Sequence, residues 1–163
     1  MDIEYREFAT KAETYQYINE NIEKIVAETD DLWAVLANTS ALLKMELVNT
    51  NWAGFYLMKK GALVLGPFQG KPAVVNIEIG AGVCGTAVAE NKPQIVEDVH
   101  KCTNHIACDA SSSSEIVVPI YANGEIFGVI DIDSPTTSTF NEEDLEGLLR
   151  SAELLGKFAA SVK

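Results

Sequence analysis

Two stretches with helical spacing begin the chain. Apolar residues recur every three or four positions over residues 11–29, which predicts an amphipathic helix. Thr10 and Glu13 have the spacing of a capping box at its start. A second periodic stretch follows residues 29–31, Thr-Asp-Asp, whose side chains can cap a helix, and it extends to Leu47. The first third of the chain is therefore predicted to form two helices with apolar faces.

The spacing of apolar residues then changes to that of β-strands. Apolar runs at 52–58 and 62–65 flank a Lys-Lys-Gly turn at 59–61, which predicts a hairpin. The further predicted elements are an irregular segment at 66–70, a strand at 73–79, a loop entering a short helix at 80–90 and closed by Asn91, and a strand at 94–96.

The last part of the chain combines a long loop, a hairpin and a helix. Residues 98–114 contain little core material, and loops of this length inside compact domains are usually functional. Two strands joined by a tight turn follow, and an acidic start at Asn141 leads into a helix that extends to Val162. This order of elements predicts an α+β fold with a mostly antiparallel central sheet. The length of 163 residues fits one domain, 1–163.

Three carboxylates lie on or beside the apolar strands of the last hairpin. They are Glu115, Asp131 and Asp133, and buried charges cost free energy unless they meet a partner or a ligand. Because side chains alternate faces, Asp131 and Asp133 are predicted to point the same way, together with Phe127 and Val129. Converging carboxylates could bind an ammonium group, or one could stay protonated and donate a proton. Asp133 could instead simply end its strand at an Asp-Ser-Pro turn.

The turn of this hairpin decides whether the carboxylates converge. A two-residue Asn123-Gly124 loop pairs odd with even positions and places Glu115 opposite Ile132. A three-residue loop, 122–124, places Glu115 opposite Asp131, with Gly124 in the left-handed conformation of a bulge. Convergence requires the second register, so we predict the three-residue loop.

Cysteine usage indicates a reducing compartment. The three cysteines are Cys84, Cys102 and Cys108, an odd number, and the polar start of the chain does not resemble a signal peptide. A cytoplasmic protein is therefore expected. Cys108 lies in the long loop, where a reactive thiolate could act as a nucleophile, and His105, three residues before it, could serve as its base. No metal site is predicted, because the chain has no Cys-x-x-Cys pair.

Charge excludes some classes of partner. The net charge of −12 argues against binding a phosphate backbone, which needs clustered Lys and Arg. No apolar run approaches the roughly 20 residues of a membrane span. Neither nucleic acid nor a membrane is therefore expected as a partner.

An ordered set of short motifs extends over nearly the whole chain. The motifs are Asn-Trp-Ala-Gly-Phe-Tyr at 51–56, Gly-Pro-Phe-Gln-Gly-Lys at 66–71, Gly-Val-Cys-Gly-Thr-Ala at 82–87, Glu-Asp-Val-His at 97–100, His-Ile-Ala-Cys-Asp at 105–109, Ser-Glu-Ile-Val-Val-Pro at 114–119 and Gly-Val-Ile-Asp-Ile-Asp-Ser-Pro at 128–135. Together they resemble the free methionine-(R)-sulfoxide reductases, which are small GAF-domain enzymes, and the order of the motifs is more specific than any one of them.

The resemblance implies a GAF fold, a free amino acid as substrate, no cofactor and thioredoxin as the reductant. Cys108 would attack the sulfoxide sulfur and become a sulfenic acid, which a second thiol converts to a disulfide. The side chains that the resemblance assigns to the substrate divide into a carboxylate set, which holds the ammonium group and assists protonation of the departing oxygen, and a pocket set. The carboxylate set is Glu115, Asp131 and Asp133, and the pocket set is Trp52, Tyr56 and Asp109. Judged without the resemblance, Trp52 could equally be a core tryptophan.

The chain departs from the family pattern at the resolving cysteine. Many members have a cysteine ten residues before the Gly-Val-Cys motif, where this chain has Val74. Cys84 matches a family cysteine and is the preferred resolving residue, whereas Cys102 is an additional candidate on the same loop as Cys108. Direct attack of an external reductant on the sulfenic acid is a third route.

Two other functions fit the same sequence. A GAF module could bind a small molecule as a sensor without catalysis, because fold does not fix function. A general thiol redox protein could use Cys108 without an amino-acid substrate. Similar proteins are often dimers, and the first amphipathic helix could supply the interface of a homodimer.

Overall fold

One antiparallel sheet forms the centre of the protein. The computed structural model describes residues 1–101 and 112–162. Its six strands have the order β3-β2-β1-β6-β5-β4, and every paired neighbour is antiparallel. The helices are α1 (Lys11–Glu28), α2 (Leu32–Glu46), α3 (Gly82–Glu90) and α4 (Glu142–Ser161), the strands are β1 (Trp52–Lys59), β2 (Ala62–Gly70), β3 (Asn76–Ile77), β4 (Gln94–Val96), β5 (Ser114–Ala122) and β6 (Glu125–Ser134), and a 3-10 turn covers Val99–Lys101.

The larger core lies between one face of the sheet and the helices α1, α2 and α4. The apolar positions predicted from helical spacing, such as Ile18 and Ile22 of α1 and Leu148 of α4, are buried there. Thr10 caps α1, and Asn141 and Asp144 form a reciprocal capping box on α4. Asp31 caps α2 in the same way, so each of the three long helices has a side-chain cap at its N-terminus and buries its apolar face.

The other face of the sheet carries a smaller core beside α3. Trp52 and Tyr56 from β1, Val117 from β5 and Val129 from β6 pack there against Cys84 of α3. The helix ends at Asn91, whose left-handed conformation confirms the predicted C-terminal boundary. This side of the sheet therefore brings the strand aromatics next to the hairpin carboxylates.

The prediction for residues 66–70 was wrong. These residues continue β2, and the register with β1 shifts between Gly54 and Tyr56, so that Gly66 and Pro67 have no paired partner on β1. Proline cannot donate to a ladder and is tolerated at such a bulge. The strand predicted at 73–79 is correspondingly short, since only Asn76–Ile77 pairs with β2.

The predicted three-residue turn of the last hairpin was also wrong. Ala122 pairs with Glu125, and the loop is Asn123-Gly124 with φ values of 55° and 80°, as in a two-residue type I′ turn. The register then shifts beyond Tyr121, where Phe127 is the unpaired residue of β6. Phe127 consequently packs with the larger core and not on the face of Val129, as had been predicted.

This bulge restores the odd-with-odd pairing that the turn does not give. Beyond the bulge, Glu115 lies opposite Asp133, and Val117 lies opposite Asp131. Glu115 is therefore a direct neighbour of Asp133 and a diagonal neighbour of Asp131, so the predicted partner was wrong but the predicted convergence was correct.

In the part of the chain that the structure describes, no helix has the combined length and apolar character to cross a membrane.

Candidate active site

The structure brings six of the predicted site residues together beside α3. They are Trp52 and Tyr56 on β1, Cys84 on α3, Glu115 on β5, and Asp131 and Asp133 on β6. The predicted nucleophile Cys108, its neighbour Asp109, the candidate resolving residue Cys102 and His105 lie outside the described residues.

The three carboxylates are almost completely buried. The exposed fractions are 3% for Glu115, 0% for Asp131 and 2% for Asp133. On the side away from β5, Asp133 pairs with Trp52 and Asp131 pairs with Gly54 of β1. The sheet register thus holds the acids in the middle of the sheet, next to an aromatic side chain.

Burial and crowding change the protonation of these acids. Loss of hydration, followed by repulsion from Asp131 and Asp133, raises the pKa of Glu115 well above its usual range. Burial also raises the pKa of Asp131, while hydrogen bonds from Glu115 and Cys84 act in the opposite direction. Glu115 is therefore the member of the cluster that keeps a proton most readily, and it can share that proton with Asp131.

Cys84 belongs to this cluster through its place on α3. It is the third residue of the helix and is buried. Its sulfur and one carboxylate oxygen each of Glu115 and Asp131 all lie within 4.8 Å of one another. Such a set of donors could geometrically hold a metal ion, and the absence of a metal site stays a prediction. The same proximity also suits proton exchange between the thiol and the acids.

An aromatic wall closes one side of the cluster. The Trp52 ring stacks on Phe68 with a centroid distance of 5.1 Å and on Tyr56 at 5.9 Å. The Trp52 indole N–H donates to the Lys71 carbonyl over 3.1 Å, and the Tyr56 hydroxyl donates to the Val74 carbonyl over 2.8 Å. Both polar groups are satisfied by backbone carbonyls, so the two aromatic side chains can be buried in this apolar wall without an unpaired donor.

Phe68 is a site residue that the sequence prediction missed. It lies in the segment taken as irregular, although the Gly-Pro-Phe-Gln-Gly motif around it was a usable signal. Val74 is half-buried against the same cluster. Position 74, where the resemblance implied a further cysteine, is therefore beside the aromatic wall.

A chain of hydroxyl groups fixes the ends of the strands that carry the acids. Ser114 donates to the Thr136 carbonyl over 2.6 Å, and Ser134 and Thr139 exchange a hydrogen bond of 2.6 Å. Ser114 directly precedes Glu115, Ser134 directly follows Asp133, and the two serines are paired across the strands. The serines had not been predicted as site residues, because nothing in their local pattern distinguishes them from ordinary turn residues.

The comparisons with known proteins agree with this architecture. The family model for the GAF domain matches residues 31–157. A solved free methionine-R-sulfoxide reductase from Neisseria meningitidis, in complex with its substrate, superposes with a TM-score of 0.93 at 41% identity, over 99% of this chain and 98% of that one. The fold and its buried site therefore define a GAF-domain protein, as the sequence predicted.

Two relatives show which family of GAF-domain proteins the chain belongs to. The free methionine-R-sulfoxide reductase of Escherichia coli is 50% identical over 93% of this chain and 92% of its own. The enzyme of the same name from Saccharomyces cerevisiae is 48% identical over 75% of this chain and 72% of its own. The chain belongs to the free methionine-R-sulfoxide reductase family. The resemblance inferred from the ordered motifs is thus confirmed.

Proposed function

We propose that this protein reduces the R epimer of free methionine sulfoxide to methionine within a single GAF domain. The observation that carries the proposal is the group of three buried carboxylates beside the Trp52 ring. Family membership supports the same reaction, because a relative named for it covers 93% of the chain at 50% identity.

Recognition of the free amino acid follows from charge and shape. The ammonium group of the substrate binds to Glu115, Asp131 and Asp133, since a cation relieves the repulsion among buried carboxylates. The methyl end packs on Trp52, and the other members of the pocket are Tyr56 and Asp109. A methionine sulfoxide within a peptide lacks the ammonium group and is therefore a poor substrate.

The first chemical step transfers oxygen from the substrate to the enzyme. The Cys108 thiolate attacks the sulfoxide sulfur while Glu115 gives a proton to the sulfoxide oxygen. The attack forms a bond between the Cys108 sulfur and the substrate sulfur. The hydroxyl oxygen then moves to the Cys108 sulfur as this bond and the sulfur–oxygen bond of the substrate break, so that methionine leaves as the reduced thioether and Cys108 becomes a sulfenic acid. The raised pKa of Glu115 supports this role, because the carboxyl group keeps its proton to a higher pH than an ordinary glutamate.

A second thiol completes the cycle. Cys84 attacks the sulfenic acid of Cys108, water leaves, and the resulting disulfide is reduced by the dithiol of thioredoxin. The position of Cys84 beside the acids supports its choice over Cys102, since Asp131 can take the thiol proton. The protein works in the cytoplasm, where a reducing thioredoxin pool is present, and homodimers are the proposed assembly.

Turnover with defined substrates tests the function. Free L-methionine R-sulfoxide is expected to be reduced with thioredoxin or dithiothreitol, whereas the S epimer and N-acetylmethionine R-sulfoxide are expected to react at least about a hundredfold more slowly in kcat/KM. Methionine formation is measured by chromatography. Binding of the R epimer without any turnover would instead favour a sensor, and equal turnover of the acetylated compound would contradict recognition through the ammonium group.

Resolution of the sulfenic acid gives a separate prediction. Cys84→Ser should leave the first turnover intact, because Cys108 still attacks the sulfoxide, but it should slow thioredoxin-dependent cycling by about tenfold or more. Rapid mixing followed by trapping of the sulfenic acid measures the two stages. Cys102→Ser is the matched variant, and the preference for Cys84 is wrong if Cys102→Ser alone slows the cycle.

A further inference from the structure

A second buried carboxylate lies on the helical face of the sheet, away from the catalytic cluster. Glu46 is the last residue of α2 and is only 4% exposed. Its Oε1 accepts a hydrogen bond of 2.9 Å from the Arg6 backbone N–H. Its Oε2 is buried and accepts no hydrogen bond from the described residues. A buried carboxylate oxygen without a donor carries a desolvation cost that a ligand can remove.

The surroundings of Glu46 disfavour its charge. Burial raises the pKa of Glu46, although the Arg6 backbone hydrogen bond and the Arg6 charge act in the opposite direction. The Arg6 guanidinium is directed elsewhere, since it lies over the Tyr17 ring at 5.3 Å. The carbonyl end of α2 also disfavours an anion. Burial and the position at the end of α2 therefore both disfavour the charged form of Glu46.

Glu46 lines a cleft of about 270 Å³. The apolar lining includes Phe8, Leu47 and Val48, and the polar lining includes Thr50 and Thr139. The cleft is slightly smaller than the usual range of ligand pockets, about 300–1,000 Å³, and suits a small molecule better than a nucleotide.

A second acid in the cleft, Asp144, already has an ion-pair partner. The Asp144 carboxylate is bound by Lys11 and accepts a hydrogen bond of 2.7 Å from the Tyr15 hydroxyl. Glu46 Oε2 is therefore the acceptor that remains for a ligand. The cleft is thus lined by two carboxylates and one lysine, and this charge balance favours a ligand with an ammonium group over a simple anion.

We propose that this cleft is a binding site for a small primary ammonium compound with a short apolar chain, whose nitrogen donates to Glu46 Oε2. The apolar part of the ligand contacts Leu47 and Val48. Simple alkylamines and free amino acids share this ammonium group, and Lys11, which also lines the cleft, can in addition attract the α-carboxylate of an amino acid. The site rests on its own residues and does not depend on the proposed reaction.

The test is a titration of ¹⁵N-labelled full-length protein followed by NMR. The probes are n-butylamine, L-methionine and the uncharged n-butanol, each added to wild type, Glu46→Gln and the exposed control Glu7→Gln. Both amines are expected to shift the amide signals of Val48, Thr50 and Thr139 in wild type and Glu7→Gln. Glu46→Gln is expected to raise the dissociation constant at this cleft at least tenfold, and n-butanol is expected to bind at least tenfold more weakly than n-butylamine.

The catalytic cluster provides an internal reference, because its acids also attract ammonium groups. Shifts of the Trp52 indole signal should be the same in all three proteins. If Glu46→Gln does not fold, Val48→Lys at the rim of the cleft should weaken both amines by electrostatic repulsion. Amide shifts that are absent, that persist unchanged in the variants, or that n-butanol reproduces equally would each overturn the proposal while leaving the reductase function untouched.

Discussion

Cys108→Ser is expected to lose at least about a thousandfold of the R-epimer reductase activity, because a serine hydroxyl is a far weaker nucleophile than a thiolate at neutral pH. Methionine formation from free L-methionine R-sulfoxide measures the loss. Dithiothreitol serves as the reductant in this assay, so that any effect on resolution is bypassed. Cys108 lies outside the described residues, and its role stays a prediction that this experiment decides.

The control for Cys108→Ser is the Cys102→Ser variant, which changes another thiol of the same loop region and should keep the first turnover. Substrate affinity measured by calorimetry should change little in Cys108→Ser, since the proposed ammonium and methyl contacts belong to other residues. Retained turnover in the variant would contradict the nucleophile assignment, even if the protein binds the substrate normally.

Glu115→Gln is expected to lower kcat by about 10²–10³-fold, because the glutamine amide cannot give a proton to the sulfoxide oxygen. The pH dependence should change as well. Because the pKa of Glu115 is raised well above its usual range, the wild-type enzyme keeps the required proton to a higher pH than an ordinary carboxyl group would, and it loses that proton, with its activity, as the pH rises through that pKa. This alkaline loss of activity should be absent from the variant.

The stability of the variant separates chemistry from folding. Since the folded pKa of Glu115 lies above the unfolded value, its favourable contribution is complete below the unfolded pKa and is lost as pH rises through the folded pKa. Glu115→Gln should therefore be at least as stable as wild type in alkaline solution. Chemical denaturation measures this free energy of unfolding. Glu125→Gln, an exposed position on the same hairpin, should change neither kcat nor the pH profile. Unchanged kcat in Glu115→Gln would exclude the proton-donor role.

Elements with strong local signals were predicted well. The helices α1 and α4 have apolar residues at helical spacing and N-terminal capping residues, and their observed bounds differ from the predicted ones by one residue at each shifted end. The short helix closed by Asn91 and the strand Gln94–Val96 were likewise correct. Capping and periodicity act within a few residues, which is why the sequence alone identifies them.

Predictions that depended on pairing between strands were less successful. The continuation of β2 through Pro67 depends on a bulge opposite β1. The length of β3 depends on how many of its residues pair with the other edge of β2, and only two do. Phe68 was missed for the same reason, because its stacking on Trp52 exists only once the strands are aligned. Local sequence carries no information on such alignment until a partner strand is specified.

The sequence by itself determined the family, the α+β fold and the presence of unusual acids on the apolar strands at Glu115, Asp131 and Asp133. Only the tertiary structure decided how those acids meet. The Asn123-Gly124 turn alone would have separated them, and the unpaired Phe127 restored the register that places Glu115 opposite Asp133. A bulge is set by the competition between turn geometry and burial on both faces of the sheet, and that balance is reached only when the helices and the neighbouring strands are packed.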